Sequence, residues 1–218
     1  MTVNRPAANS ESTKDRIIDA AEALIAEFGI NGVTFREIAQ AAGQSNKSGV
    51  QYHFGDKENL VNQIFSRRFS VLEKRRSEIF EEIQKAGRLE TVRSCLEIFH
   101  IPVAELTDKN GRHTHAKFFL QYIVSMQYNN RINHPGLSRD PTITAQKVYK
   151  VIQDLLWYIP GPVLRTRLFQ VHGMFLVSLL EHDELTANGK THQSRSEFLD
   201  GLLNIMVAAV RAPLPSAH

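Results

Sequence analysis

The stretch that most constrains this chain is Thr34 to Asn59, TFREIAQAAGQSNKSGVQYHFGDKEN. Thr34 can cap a helix, and Glu37, three residues on, completes a capping box. Phe35, Ile38, Ala39 and Ala42 recur at helical spacing and mark a buried face. Gly43 supplies the left-handed stop that a residue with a Cβ would strain to adopt. Ser45 can open a second short helix whose apolar marks are Val50 and Phe54. Gly55 breaks it, and Asp56 caps a further helix with Glu58 in the first turn. Helix, glycine turn and short polar helix together make the pattern of a helix-turn-helix, whose second helix enters the major groove of DNA.

The flanking pattern is helical throughout, so the fold class expected is all-α. Residues 1 to 11 read as a flexible arm, in which Arg5 could reach DNA but a solvated tail is the simpler reading. The first helix, Ser12 to Phe28, has an apolar stripe of Ile17, Ala20, Ala21, Leu24, Ile25 and Phe28. That stripe should pack on Phe35, Ile38 and Val50, giving a three-helix head over residues 12–55. A long helix over 56–84 comes next, with Leu60, Ile64, Leu72, Ile79 and Ile83 inward. At 1.5 Å per residue it spans about 40 Å, enough to tie the head mechanically to the C-terminal part of the chain.

After Gly87 the chain reads as a larger helical domain, residues 85–218. Helices are expected over Leu89–Leu106, with a kink or restart at Pro102, then Thr114–Tyr128 and Thr142–Tyr158. Ile159-Pro160-Gly161-Pro162 reads as a stop, and two apolar helices remain, Val163–Glu181 and Ser194–Arg211. These two are too apolar for the surface of a monomer and point to a partner, although both could be plain core.

Composition restrains the functional reading. The net charge of +3 is a weak hint of a polyanionic partner. From Lys14 to Lys57 there are five basic residues (Lys14, Arg16, Arg36, Lys47, Lys57) against six acids (Asp15, Asp19, Glu22, Glu27, Glu37, Asp56). The head is therefore not basic overall, yet Gln44 to Gly55 holds a lysine, a histidine and no acid. A single cysteine, Cys95, excludes an internal disulfide framework and fits a reducing compartment. No segment reaches the roughly 20 apolar residues of a membrane helix, and the polar N-terminus lacks a signal-peptide core. A cytoplasmic protein with no membrane partner is expected.

The nine histidines invite a metal reading, but there is no HExxH, no Cys pair and no carboxylate cluster at ligand spacing. No GxSxG, P-loop or dinucleotide fingerprint occurs, so neither an enzyme nor a cofactor is expected. His172, inside an apolar helix, is the histidine of most interest. It could hydrogen-bond a ligand, although a satisfied core histidine is the plainer reading.

The run from about Thr13 to Leu60 resembles the N-terminal DNA-binding domain of TetR-family transcriptional regulators. The matching marks are IIDAAEALIAEFGINGVTFREIAQAAG, the aromatic run Tyr52-His53-Phe54, and GDKENL opening the fourth helix. The span GQSNKSGVQYHF is one residue longer than the commonest pattern. The resemblance implies a homodimer that reads double-stranded DNA at a palindromic site, more often as a repressor. Phosphate contacts would come from Thr34, Tyr52 and Lys57 with the helix starts at Thr34 and Asp56. Base contacts would come from Asn46, Lys47, Ser48 and Gln51, while Arg36, Ser45 and His53 complete the DNA-facing set. It further implies a four-helix dimer interface from the last two long helices and a largely apolar small-molecule effector between the C-terminal helices. Phe118, Tyr122, Met126, Trp157, Phe169 and His172 are the candidate ligand contacts. The competing reading is a helical ligand-binding or protein-interaction module without specific DNA binding.

Overall fold

The computed structural model describes residues 12–44, 48–129 and 143–214, the side chains of 126–129 excepted. Among these every regular element is a helix: α1 (Thr13–Phe28), α2 (Phe35–Ala41), α3 (Ser48–Phe54), α4 (Lys57–Lys85), α5 (Val92–Glu105), α6 (Thr114–Asn129), α7 (Thr144–Leu155), α8 (Gly161–Ala187) and α9 (Arg195–Val210).

The helix starts track the side-chain oxygens. Ser12, Thr34, Asp56, Thr91 and Ser194 each accept from the backbone N–H three residues on. Thr34 and Ser194 complete capping boxes with Glu37 and Glu197. Thr91 moves the start of α5 from the expected Leu89 to Val92. Pro102 does not restart that helix; it lies inside α5 within the last turn. Pro160-Gly161-Pro162 proves to be a beginning. Pro160 caps α8 and Pro162 sits in its first turn, where a missing N–H costs nothing. α8 also runs on past Glu181 to Ala187.

Two apolar clusters form the core. The first joins Ile17, Ala21 and Ile25 of α1 to Ile38 of α2, Val50 and Phe54 of α3, and Leu60 and Ile64 of α4. Each fully buried Ile, Leu or Phe contributes about 1.5–3 kcal/mol through burial. Phe28, expected at the end of the α1 stripe, is 65% exposed. α6 adds Phe118 and Tyr122 to this cluster and packs along α1, so the head is not a free three-helix unit. The second cluster takes Leu72, Ile79 and Ile83 of α4 together with α5, α7, α8 and α9. α4 thus contributes its first half to the head core and its second half to the body core.

Candidate nucleic-acid interface and effector cavity

α2 ends in a turn that fixes the angle to α3. Gly43 has φ 68°, the Gln44 N–H reaches the Ala39 carbonyl at 2.8 Å, and the Gly43 N–H reaches Gln40 at 3.1 Å. α3 buries Val50 and Phe54 and leaves Ser48, Gln51, Tyr52 and His53 exposed. Ser48, Gln51 and Tyr52 are spaced i, i+3, i+4 and share one face. Tyr52 is 86% exposed and meets the His53 ring edge-on at 5.4 Å between centroids. Asn59 closes the next turn: its amide donates to the Phe54 carbonyl at 2.9 Å and its backbone N–H to Asp56 at 2.7 Å. Ser45, Asn46 and Lys47 lie outside the described residues.

Other members of the DNA-facing set expected from sequence carry structural duties. The Thr34 hydroxyl donates to Glu37 Oε2 at 2.7 Å as part of the capping box. Lys57 Nζ donates to the carbonyls of Ile30 at 2.9 Å and Val33 at 2.6 Å, pinning the α1–α2 turn. Two of its three N–H groups are therefore engaged. Arg36 is exposed at the start of α2.

The neutral charge balance of the head hides an arrangement. Asp19 and Glu22 face α4 and pair with Arg67 and Arg68, at 3.0 Å for Arg67 to Asp19. Glu27 pairs with Lys117 at 2.7 Å, and Glu37 and Asp56 cap helices. These five acids are turned into internal or capping contacts.

Glu22 is the hub of the head–body junction. It is 2% exposed and takes hydrogen bonds from Arg68 Nε at 2.9 Å and from His115 Nδ1 of α6 at 2.8 Å. Burial pushes its carboxyl upward, but the hydrogen bonds from His115 and Arg68, aided by charge, outweigh that and hold it below the ordinary value. α1, α4 and α6 meet at this one carboxylate.

Beside the junction lies a cavity of about 150 Å³. α4 provides one wall with Phe65, Phe69, Leu72 and Arg76. Phe99 of α5, His115 and Phe119 of α6, Ala145 of α7 and His172 of α8 close the others. The His100 Nδ1–H donates to the Leu96 carbonyl at 2.8 Å. Burial, reinforced by the nearby Arg76 charge and only partly offset by that bond, pushes His100 down to about 4. It is neutral at pH 7, so its Nε2 accepts from His172 Nδ1 at 3.3 Å.

Of the ligand contacts expected from sequence, His172 lines this cavity. Phe118 and Tyr122 are fully buried in the head core instead, because they lie on the side of α6 that meets α1. Trp157, 81% exposed, lies just past the end of α7, and Phe169, 51% exposed, lies on the outer side of α8. The Met126 side chain lies outside the described residues. The α4 wall was readable, however: positions 65, 69, 72 and 76 are spaced i, i+4, i+7, i+11 and fall on one helix face. Among the described residues no group of three or more His, Cys, Asp or Glu is placed to hold a metal ion, and no helix is long and apolar enough to cross a membrane.

Comparison with known proteins bears on this geometry. The sequence model for bacterial regulatory proteins of the tetR family matches residues 17–64, the span from α1 into α4. The HTH-type transcriptional repressor AcnR of Corynebacterium glutamicum is 31% identical over 86 residues, 39% of this chain and 42% of its own length. The HTH-type transcriptional repressor KstR2 of Mycobacterium tuberculosis is 25% identical over 198 residues, 82% of this chain and 96% of its own. The match thus spans under half of AcnR and nearly all of KstR2. A crystal structure of a TetR family transcription regulator from Marinobacter aquaeolei VT8 shares the fold, with a TM-score of 0.55 and 14% identity over 90% of this chain and 94% of that one. Helix-turn-helix head, helical body and these sequence matches agree: residues 17–64 match the DNA-binding domain of the tetR family, and the chain over its length is similar to transcriptional regulators of that family.

Proposed function

We propose that this regulator is a ligand-responsive repressor that binds a palindromic operator as a homodimer. The observation that carries the effector part is the double role of α4. Asp56 and Lys57 at its start fix the turn behind α3 and the α1–α2 turn, and Phe65 to Arg76 further along form a wall of the cavity. A molecule entering the cavity presses on the same rod that positions the reading head. It shifts DNA affinity only through different affinities for the two head positions. Tenfold release requires about 1.4 kcal/mol of such coupling.

The dimer is proposed to form through α8 and α9, which pack on each other and leave Val177 and Ile205 more than half exposed. Two-fold symmetry then places the α3 helices over half-sites about 34 Å apart, or a multiple of that. Ser48, Gln51 and Tyr52 meet the DNA first, with Asn46 and Lys47 as further base contacts proposed from the sequence. The test of the effector reading is Ala145→Phe, which fills the cavity from α7. It should weaken operator binding about tenfold or more in a gel-shift titration, in the manner of bound ligand. Unchanged operator affinity would detach the cavity from DNA reading.

A further inference from the structure

We propose that the cavity takes a compact apolar carboxylate of about benzoate size, its carboxylate paired with Arg76. This rests on the cavity being the effector site. The Arg76 side chain is only 12% exposed and borders the cavity. A guanidinium carries five N–H donors, and buried donors are nearly always satisfied. Arg76 Nε is buried with no acceptor, and the closest ion pair of the side chain, to Glu73 Oε2, stands at 3.9 Å, beyond hydrogen-bond reach.

Glu73 is occupied elsewhere. Its Oε1 accepts the Thr144 N–H at the first turn of α7, a helix whose cap residue Ile143 has no side-chain oxygen to offer. Oε2 is itself buried and without a hydrogen bond. The carboxylate serves the positive end of α7 and attracts Arg76 only at a distance. The neighbouring His100 and His172 pair with each other, and an imidazole carries no negative charge, so neither supplies the anion that Arg76 lacks. What the guanidinium lacks is a planar acceptor at contact distance, and a carboxylate matches its fork with two parallel bonds.

The rest of the cavity sets the body of the ligand. Phe65, Phe69, Phe99 and Phe119 make its walls apolar and aromatic. An apolar protein cavity of about 150 Å³ accommodates benzene. The space therefore suits one ring or a short alkyl chain beneath the carboxylate. A polyanion or a long-chain acid is too large for it.

The test is calorimetric titration of the full chain at pH 7 with benzoate and its neutral isostere benzamide, and with hexanoate and hexanamide. In the wild type each carboxylate should bind at least about tenfold tighter than its amide. Arg76→Gln should erase that preference while leaving amide binding in place, and Arg76→Lys should retain part of it. Ala145→Phe should abolish binding of all four probes, which locates them in the cavity. If Arg76→Gln fails to fold by circular dichroism, the wild-type ratio of acid to amide decides alone. Amides binding as tightly as acids would overturn the anion assignment while leaving the cavity as a ligand site. No saturable binding of any of the four would overturn the carboxylate assignment, while the effector site would still stand or fall on the operator affinity of Ala145→Phe. With the acid-over-amide preference in place, a preference for benzoate over hexanoate, or the reverse, would fix the shape of the ligand body.

Discussion

At the scale of single residues, the proposed reading surface separates into side chains that face outward and side chains already employed. Gln51 is exposed on α3 and bears two donors and an acceptor suited to the adenine edge. Gln51→Ala should relax preference at one base pair by about 1–3 kcal/mol, seen as lost discrimination in a binding-site selection. An identical motif from the variant would remove Gln51 from the bases. Lys57 is the contrasting case, because its Nζ bonds to Ile30 and Val33 bind the α1–α2 turn to α4. Lys57→Ala should lower unfolding free energy by about 2 kcal/mol in urea titration, as hydrogen bonds to a charged group are worth. Its third N–H remains for a phosphate, so the slope of log affinity against log salt should also fall by about one. Loss of stability with an unchanged slope would make Lys57 scaffold only. The exposed polar position of Gln51 was legible in sequence. The anchoring role of Lys57 was not, because a lysine reaching back to carbonyls more than twenty positions earlier leaves no local pattern.

At the scale of helices, the junction of α1, α4 and α6 is where head and body become one object. Glu22→Gln should cost about 3–5 kcal/mol, since it leaves Arg68 and His115 around a neutral amide in a buried site. The pH dependence has a definite sign. The folded carboxyl titrates below its ordinary value of 4.5, so its stabilisation is fully present above that value and is lost as pH falls through the folded value. Acid unfolding of the wild type, monitored by circular dichroism, should therefore include a step that the E22Q variant lacks. Equal acid profiles would remove Glu22 from the linkage. Helix existence was readable from apolar spacing and caps, and Ile17, Ile25, Ile38 and Val50 are buried as their spacing predicts. The contact of α6 with α1 was not, because Phe118 and Tyr122 have the same spacing whether they face a ligand or another helix. Trp157 and Phe169 mislead for a related reason: aromatic character suggests burial, yet both lie at the surface.

At the scale of the whole molecule, the proposed dimer must hold its two heads at one spacing for a palindrome to be read. The exposed Val177 and Ile205 on α8 and α9 are the proposed means. Val177→Asp combined with Ile205→Asp should yield monomers in sedimentation equilibrium. Losing the second head should weaken operator binding by about a hundredfold or more, because the second contact is no longer intramolecular. A dimer surviving both changes would place the interface elsewhere. The most direct measurement of all is selection of bound sequences from random DNA by the purified protein at two salt concentrations. A palindromic motif with half-sites about one helical turn apart, or a multiple of it, should be enriched at both. Weak binding that enriches no motif and vanishes at the higher salt would contradict a dimeric, sequence-specific reader and leave only attraction to the phosphate backbone.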